Sequence, residues 1–137
     1  MRTGVIALAA ALLLPLSGHA ATLFADLGAK PGIDRLVENA TSIWTADPRI
    51  RATFEETNLV RFKQKLAEQL CQVSDGGCAY SGQTMHDAHK GLHLDTRQFN
   101  ALVEDLQKAM QGLDIPFTTQ NRLLAVLAPM YRDVVSK

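Results

Sequence analysis

The stretch Ser81-Gly82-Gln83-Thr84-Met85-His86-Asp87-Ala88-His89-Lys90-Gly91 reads as a short helix whose start, stop and one well-placed histidine are all legible. Thr84 with Asp87 three residues on is a helix-opening pair, and Gly91 suits the left-handed residue that closes a helix. Only about two turns lie between them. Met85 and His89 are four apart and so share one face, with His89 in the last turn at the negative end of the helix dipole. An imidazole there is well placed to ligate a metal, its other ring N–H given to a carbonyl freed in the preceding turn. A lone histidine on a helix face serves equally well as a packed or hydrogen-bonded core residue, so the rest of the chain has to decide.

Just upstream, the two cysteines of the chain, Cys71 and Cys78, flank Gln72-Val73-Ser74-Asp75-Gly76-Gly77, which turns at its glycine pair. A Cys71–Cys78 disulfide is expected in preference to two free buried thiols; closing so small a loop contributes on the order of 2–3 kcal/mol. One cysteine pair alone makes a poor zinc site, and there is no Cys-x-x-Cys-His run for covalent haem attachment.

The compartment follows from the other end of the chain. Arg2, an apolar run from Val5 to Leu16 and the small residues Ser17-Gly18-His19-Ala20 have the order of a signal peptide, so residues 1–20 are expected to be removed and residues 21–137 to form one exported domain. Periplasm is the natural destination, and an oxidising one for the cysteine pair. The apolar run is too short for a comfortable membrane span, which excludes an embedded mature protein. With 14 basic and 14 acidic residues and no basic stripe, nucleic acid is excluded as a partner.

Apolar positions recur at three and four almost throughout, which predicts an all-α domain. Thr22 to Leu27 suits a short helix ending at Gly28. Pro31 sits near the start of a longer one with Ile33, Leu36, Val37, Ala40, Ile43 and Trp44 as its stripe. Asp47-Pro48 opens a short turn ending near Phe54. Asn58 caps a helix carrying Leu59, Phe62, Leu66, Leu70 and Val73 that stops at Gly76-Gly77. Asp95 caps another, with Phe99, Leu102, Val103, Leu106 and Met110 inward and Gly112 at its end. The last helix opens at Thr118 or Thr119 and is kinked or broken at Pro129. Such uneven lengths are unlike a regular bundle, and so many apolar positions imply either a large core or a cavity for something flat and apolar.

In order and spacing these landmarks resemble a group 1 truncated haemoglobin: Leu23-Phe24-Ala25-Asp26-Leu27-Gly28, Asp47-Pro48-Arg49-Ile50 before Phe54, Asn58 to Lys63, Gly76-Gly77, Tyr80-Ser81-Gly82, Met85 to His89, Gly91-Leu92-His93-Leu94 and Leu127-Ala128-Pro129-Met130. The resemblance runs from about Leu23 to Val134. It implies a two-over-two helical sandwich holding non-covalent haem b, with His89 as the proximal iron ligand and a diatomic gas (O2, NO or CO) as partner. It also implies Phe54 as an aromatic wedge, Phe62, Leu66, Met85, Leu94 and Phe99 as pocket walls, and Arg61 and Lys65 as partners for the propionates.

The departures from that family bear on chemistry. Where it presents Phe-Tyr in the second helix, with a tyrosine hydroxyl that holds oxygen, this chain has Ala40-Thr41, and where it adds a distal glutamine, this chain has Leu66. A distal pocket of Thr41, Phe62 and Leu66 is therefore unusually apolar, and suits a neutral diatomic or admits Lys65 as an internal sixth ligand. Other readings stay open: a haem-dependent redox enzyme of peroxidase or NO-dioxygenase type with a redox partner, though no distal acid or base is evident; a metal site from His86, His89 and His93; or a haem-free helical interaction module stapled by Cys71 and Cys78.

Overall fold

The computed structural model describes residues 20–136; the expected signal peptide lies outside them, apart from Ala20. Among the described residues there are seven α-helices and no strand. They are α1 (Leu23–Asp26), α2 (Ala29–Ala46), α3 (Leu59–Val73), α4 (Met85–His89), α5 (Thr96–Gly112), α6 (Phe117–Leu127) and α7 (Tyr131–Val134). One 3-10 turn, Arg51–Phe54, follows α2, and another, Ala128–Met130, follows α6.

The helices start where local side chains satisfy their first N–H groups. Thr22, Asn58 and Thr84 accept from the main chain of Ala25, Arg61 and Asp87, while Asp95 and Gln98 cap α5 reciprocally. Pro129 acts as a breaker: the α-helix ends at Leu127, passes through the 3-10 turn and resumes as α7. Two boundaries differ from the sequence reading. Pro116, preset at φ −57°, lets α6 begin at Phe117. α3 stops at Val73 because Asp75 turns left-handed at φ 64° and the N–H groups of Asp75 and Gly76 reach back to the Gln72 and Cys71 carbonyls, at 3.3 and 2.8 Å, before the glycine pair is complete.

α2 is the central element and packs on both α3 and α5. Its Ile33, Leu36, Val37, Ala40 and Trp44 are buried with Leu70 of α3, Leu106 and Met110 of α5 and Leu123 of α6. Each large side chain so buried contributes about 1.5–3 kcal/mol. Two cross-helix bonds fix α2 against α5: Asn39 Nδ2 donates to the Ala109 carbonyl, and the Trp44 indole N–H to that of Leu102, both at 3.0 Å. The loop after α3 returns across the end of that helix, where Cys71 and Cys78 are joined in a disulfide with their Cα atoms 5.7 Å apart.

Candidate functional site

One half of this helical assembly is solid and the other is hollow. A cavity of about 570 Å³ opens between α2, α3, α4, α5 and the α6–α7 break, within the range of cofactor pockets. On its wall Phe54, Phe62, Leu66, Met85, Leu94 and Phe99 are only half-buried, whereas Leu36 and Leu70 at its back, and Met110 in the core beyond, are at most 2 % exposed. Helical stripes that bury one edge fully and leave the other half-covered need an apolar guest to complete the core.

Among the described residues His89 is the one histidine on the cavity wall. It is half-buried, and its Nδ1 lies 2.7 Å from the carbonyl oxygen of Met85. A carbonyl only accepts, so Nδ1 carries the proton and Nε2 keeps the lone pair. α4 is built for this: Thr84 caps it, the Met85 carbonyl lies one turn before His89 on the same face, and Gly91 at φ 82° turns the chain away just beyond. His86 and His93 are exposed and off the cavity wall, and no three metal-binding side chains gather among the described residues. The trihistidine arrangement is not formed.

Phe54, Arg61, Phe62, Lys65, Leu66, Met85, His89, Leu94 and Phe99 all line the one cavity. Thr41 does not. Its neighbour Ala40 faces the cavity, and a turn of about 100° per residue carries Thr41 into the packed core, where it is 5 % exposed and its hydroxyl has no hydrogen-bond partner. The structure adds wall residues that the sequence reading missed. Trp44 stacks with Phe54 at 6.3 Å and meets Phe62 edge-on at 6.2 Å, forming an aromatic wall. Gln69 is buried, its amide placed 3.1 Å from the Met85 sulfur and 3.4 Å from that of Met130. It stands seven residues after Phe62 and three after Leu66, so helical periodicity alone would have put it on the cavity face.

The charged groups lie at the rim. Arg61 is exposed there, with no carboxylate on its guanidinium among the described residues. Lys65 is held instead: its Nζ donates to Glu68 at 3.0 Å and to the Ser81 hydroxyl at 2.5 Å. Glu68 also accepts from the Ser81 N–H and hydroxyl, and the Ser81 and Lys65 hydrogen bonds keep its carboxyl below the usual range. Burial, with the Glu68 charge nearby, raises the Tyr80 phenol, whose hydroxyl donates to the Gln83 carbonyl at 2.7 Å. Among the described residues no carboxylate lines the cavity.

The sequence matches the bacterial-like globin family over residues 22–136. It is 24% identical to a group 1 truncated hemoglobin of Tetrahymena pyriformis over 116 residues, 85% of this chain and 96% of that protein. To a group 1 truncated hemoglobin of Nostoc commune it is 28% identical over 89 residues, 65% of this chain and 75% of that one. The fold superposes on the crystal structure of the Tetrahymena pyriformis truncated hemoglobin, Fe(III) form, with a TM-score of 0.82 at 24% identity, over 85% of this chain and all of that one. The 2/2 hemoglobin of Synechococcus sp. PCC 7002, described in a cyanomet state with covalently attached heme, gives 0.80 at 23% identity with coverages of 85% and 100%. A cavity edged by half-buried aromatic and aliphatic side chains, a histidine oriented through its own helix and this run of similarity agree: the chain belongs to the bacterial-like globin family and has the truncated-globin fold.

Proposed function

We propose that the chain is a haem-binding globin that takes a diatomic gas, with His89 as the axial ligand and an apolar distal side. The observation that carries this is the Nδ1–H of His89 committed to the Met85 carbonyl on the wall of the apolar cavity, which leaves Nε2 to ligate. The half-buried walls fit a flat apolar macrocycle. Both cysteines are in the disulfide, leaving none for thioether attachment, which supports non-covalent haem b. His89 would hold the iron of a haem bound there, and that iron would supply the site at which a small molecule binds.

What this chain contributes is shape, orientation and the exclusion of water. Phe54, Phe62, Met85, Leu94 and Phe99 hold the ring by contact, and Arg61 at the rim serves a propionate. Phe62 and Leu66, with Trp44 behind them, face the gas. The Trp44 N–H is spent on Leu102 and the Thr53 hydroxyl on Ile50, so neither donates into the pocket. Phe62 and Leu66 carry no donor and the Gln69 amide is turned to the Met85 and Met130 sulfurs, so oxygen lacks the charge-assisted contact that would retain it, while CO and NO lose little. Lys65 is drawn to Glu68 and Ser81, which opposes its service as a sixth ligand. Among the described residues no carboxylate and no second histidine stands on the walls, which supports ligand binding over an acid–base redox mechanism. The disulfide supports an oxidising location such as the periplasm.

Titration of the protein with haemin, beside His89→Ala, tests the reading by absorption. A saturable one-to-one complex that collapses in His89→Ala is the expected result; equal uptake by the two proteins would overturn it.

A further inference from the structure

We infer that the Cys71–Cys78 disulfide is a redox-operated latch that positions the helix bearing His89; the inference rests on the haem reading above. Among the described residues, 77–83 make no main-chain to main-chain hydrogen bond, yet they lead directly into α4 and supply Tyr80, Gly82 and Gln83 to the cavity wall. Two side-chain ties hold them, and both run to the last turns of α3. One is the disulfide from Cys78 to Cys71. The other is Ser81, gripped through its N–H and hydroxyl by Glu68 at 3.1 and 2.8 Å and accepting from Lys65 Nζ at 2.5 Å.

The same helix, α3, lends Phe62 and Leu66 to the opposite, gas-facing part of the cavity. The two ties therefore set how far apart the gas-facing helix and the histidine helix stand. Beyond them, α4 packs chiefly on α7, which is only four residues long. The turn beneath the bridge is closely fitted: a Cβ on Gly76 would lie 2.6 Å from the Cys71 sulfur and 2.5 Å from the Phe24 ring. Chain slack released by opening the bridge is therefore passed forward toward α4, since the turn on its other side is pinned by the Gly76 N–H on the Cys71 carbonyl at 2.8 Å and the Phe24 N–H on the Ser74 carbonyl at 2.9 Å.

The bridge is reachable from one side. Cys71 is 5 % exposed, while Cys78 is exposed. A thiolate of a dithiol reductant attacks the Cys78 sulfur, the S–S bond breaks, and the Cys71 sulfur leaves with the electron pair and takes a proton. The second thiolate of the reductant then attacks its own mixed-disulfide sulfur and frees Cys78. In sum the reductant becomes a disulfide, and two electrons and two protons pass to the cysteine pair. Haem retention then follows the thiol poise of the surroundings: firm where the bridge stands, loose where it is open.

The test loads the protein with haemin and measures haemin transfer to excess apomyoglobin, with the bridge intact and after reduction, thiol titration confirming each state. Reduction is expected to speed transfer about tenfold. A Cys71→Ser/Cys78→Ser double variant should transfer at the fast rate with or without reductant. Ser81→Ala, with the bridge intact, should transfer at an intermediate rate and respond more to reduction. Resonance Raman of the ferrous form should show the iron–histidine band broadened or shifted in the reduced protein, a change that a general loss of stability does not produce. Equal transfer rates for the bridged and reduced proteins overturn the latch while leaving the haem reading intact. Loss of helical circular dichroism on reduction also overturns it, in favour of a general staple. Failure of the bridged protein to take up haemin overturns the haem reading and the latch with it.

Discussion

The imidazole Nδ1 of His89 stands 2.7 Å from the main-chain oxygen of Met85, one helical turn back, so the helix that carries the ligand also fixes its tautomer. The side chain acts as an anchored imidazole, and an untethered one should partly replace it. His89→Gly is expected to take up haemin poorly alone and to recover binding when millimolar imidazole is added, read as a restored Soret band. No rescue, with the fold intact, would place the axial ligand elsewhere.

Leu66 and Thr41 separate two views of the distal side. Leu66 lines the cavity, so Leu66→Gln introduces a donor where none stands and should slow oxygen release roughly tenfold, the worth of about one hydrogen bond. Thr41 lies outside the cavity wall with a buried, unpartnered hydroxyl, so Thr41→Val should raise stability by about 1 kcal/mol and leave oxygen release unchanged. Stopped-flow displacement by CO measures both rates. A faster off-rate in Thr41→Val would mean that its hydroxyl reaches the gas.

Lys65 is a further check on coordination. Because its ammonium is shared between Glu68 and Ser81, Lys65→Met should leave the ferric absorption bands in place from neutral to alkaline pH. A shift from six- to five-coordinate bands in the variant would reveal lysine ligation.

Away from the cavity, Asp105 is wholly buried beside Asp47, with one oxygen unpartnered. Burial raises its pKa, the Lys108 ammonium opposes this, and the Asp47 carboxylate adds to the rise. A carboxyl whose folded value lies above its unfolded value of about 3.9 contributes fully at lower pH and loses that contribution as pH climbs through the folded value. Asp47, held low by Arg49, gives the opposite slope: its contribution is present above the ordinary carboxylate range and is lost on acidification. Asp105→Asn should therefore flatten the decline in melting temperature as pH rises above the ordinary carboxylate range and leave the acid limb in place. An unchanged profile would remove Asp105 from the titration.

Gly76 is the tightest point of the turn under the disulfide. Gly76→Ala forces a methyl group against the Phe24 ring and the Cys71 sulfur and should cost about 1–3 kcal/mol, read from the urea midpoint. Gly77→Ala, where nothing lies within 4 Å, should cost less despite the glycine's φ of 76°.

Much of this was legible because it is local. Thr84 before Asp87, Asn58 before Arg61 and Asp95 before Gln98 reach three residues along the chain, and Pro129 acts where it stands. His89 was readable for the same reason, since its partner Met85 lies on the same short helix. Glu68 and Ser81 were not, because a carboxylate and a serine 13 residues apart meet only when the loop folds back on α3. Thr41 shows a different limit: matching a residue to a family position does not say which way it faces, and one step along α2 divides the cavity face from the core.

Trp44 is the sole tryptophan of the chain, and it lies on the cavity wall with its indole ring held rigidly by the Leu102 carbonyl and stacked on Phe54. The protein therefore carries its own optical gauge. Emission from an indole fixed beside the pocket should be bright and narrow when the pocket is empty and extinguished by energy transfer when a porphyrin lies against it. Filling and emptying can then be followed in real time at concentrations too low for absorption, with no label added.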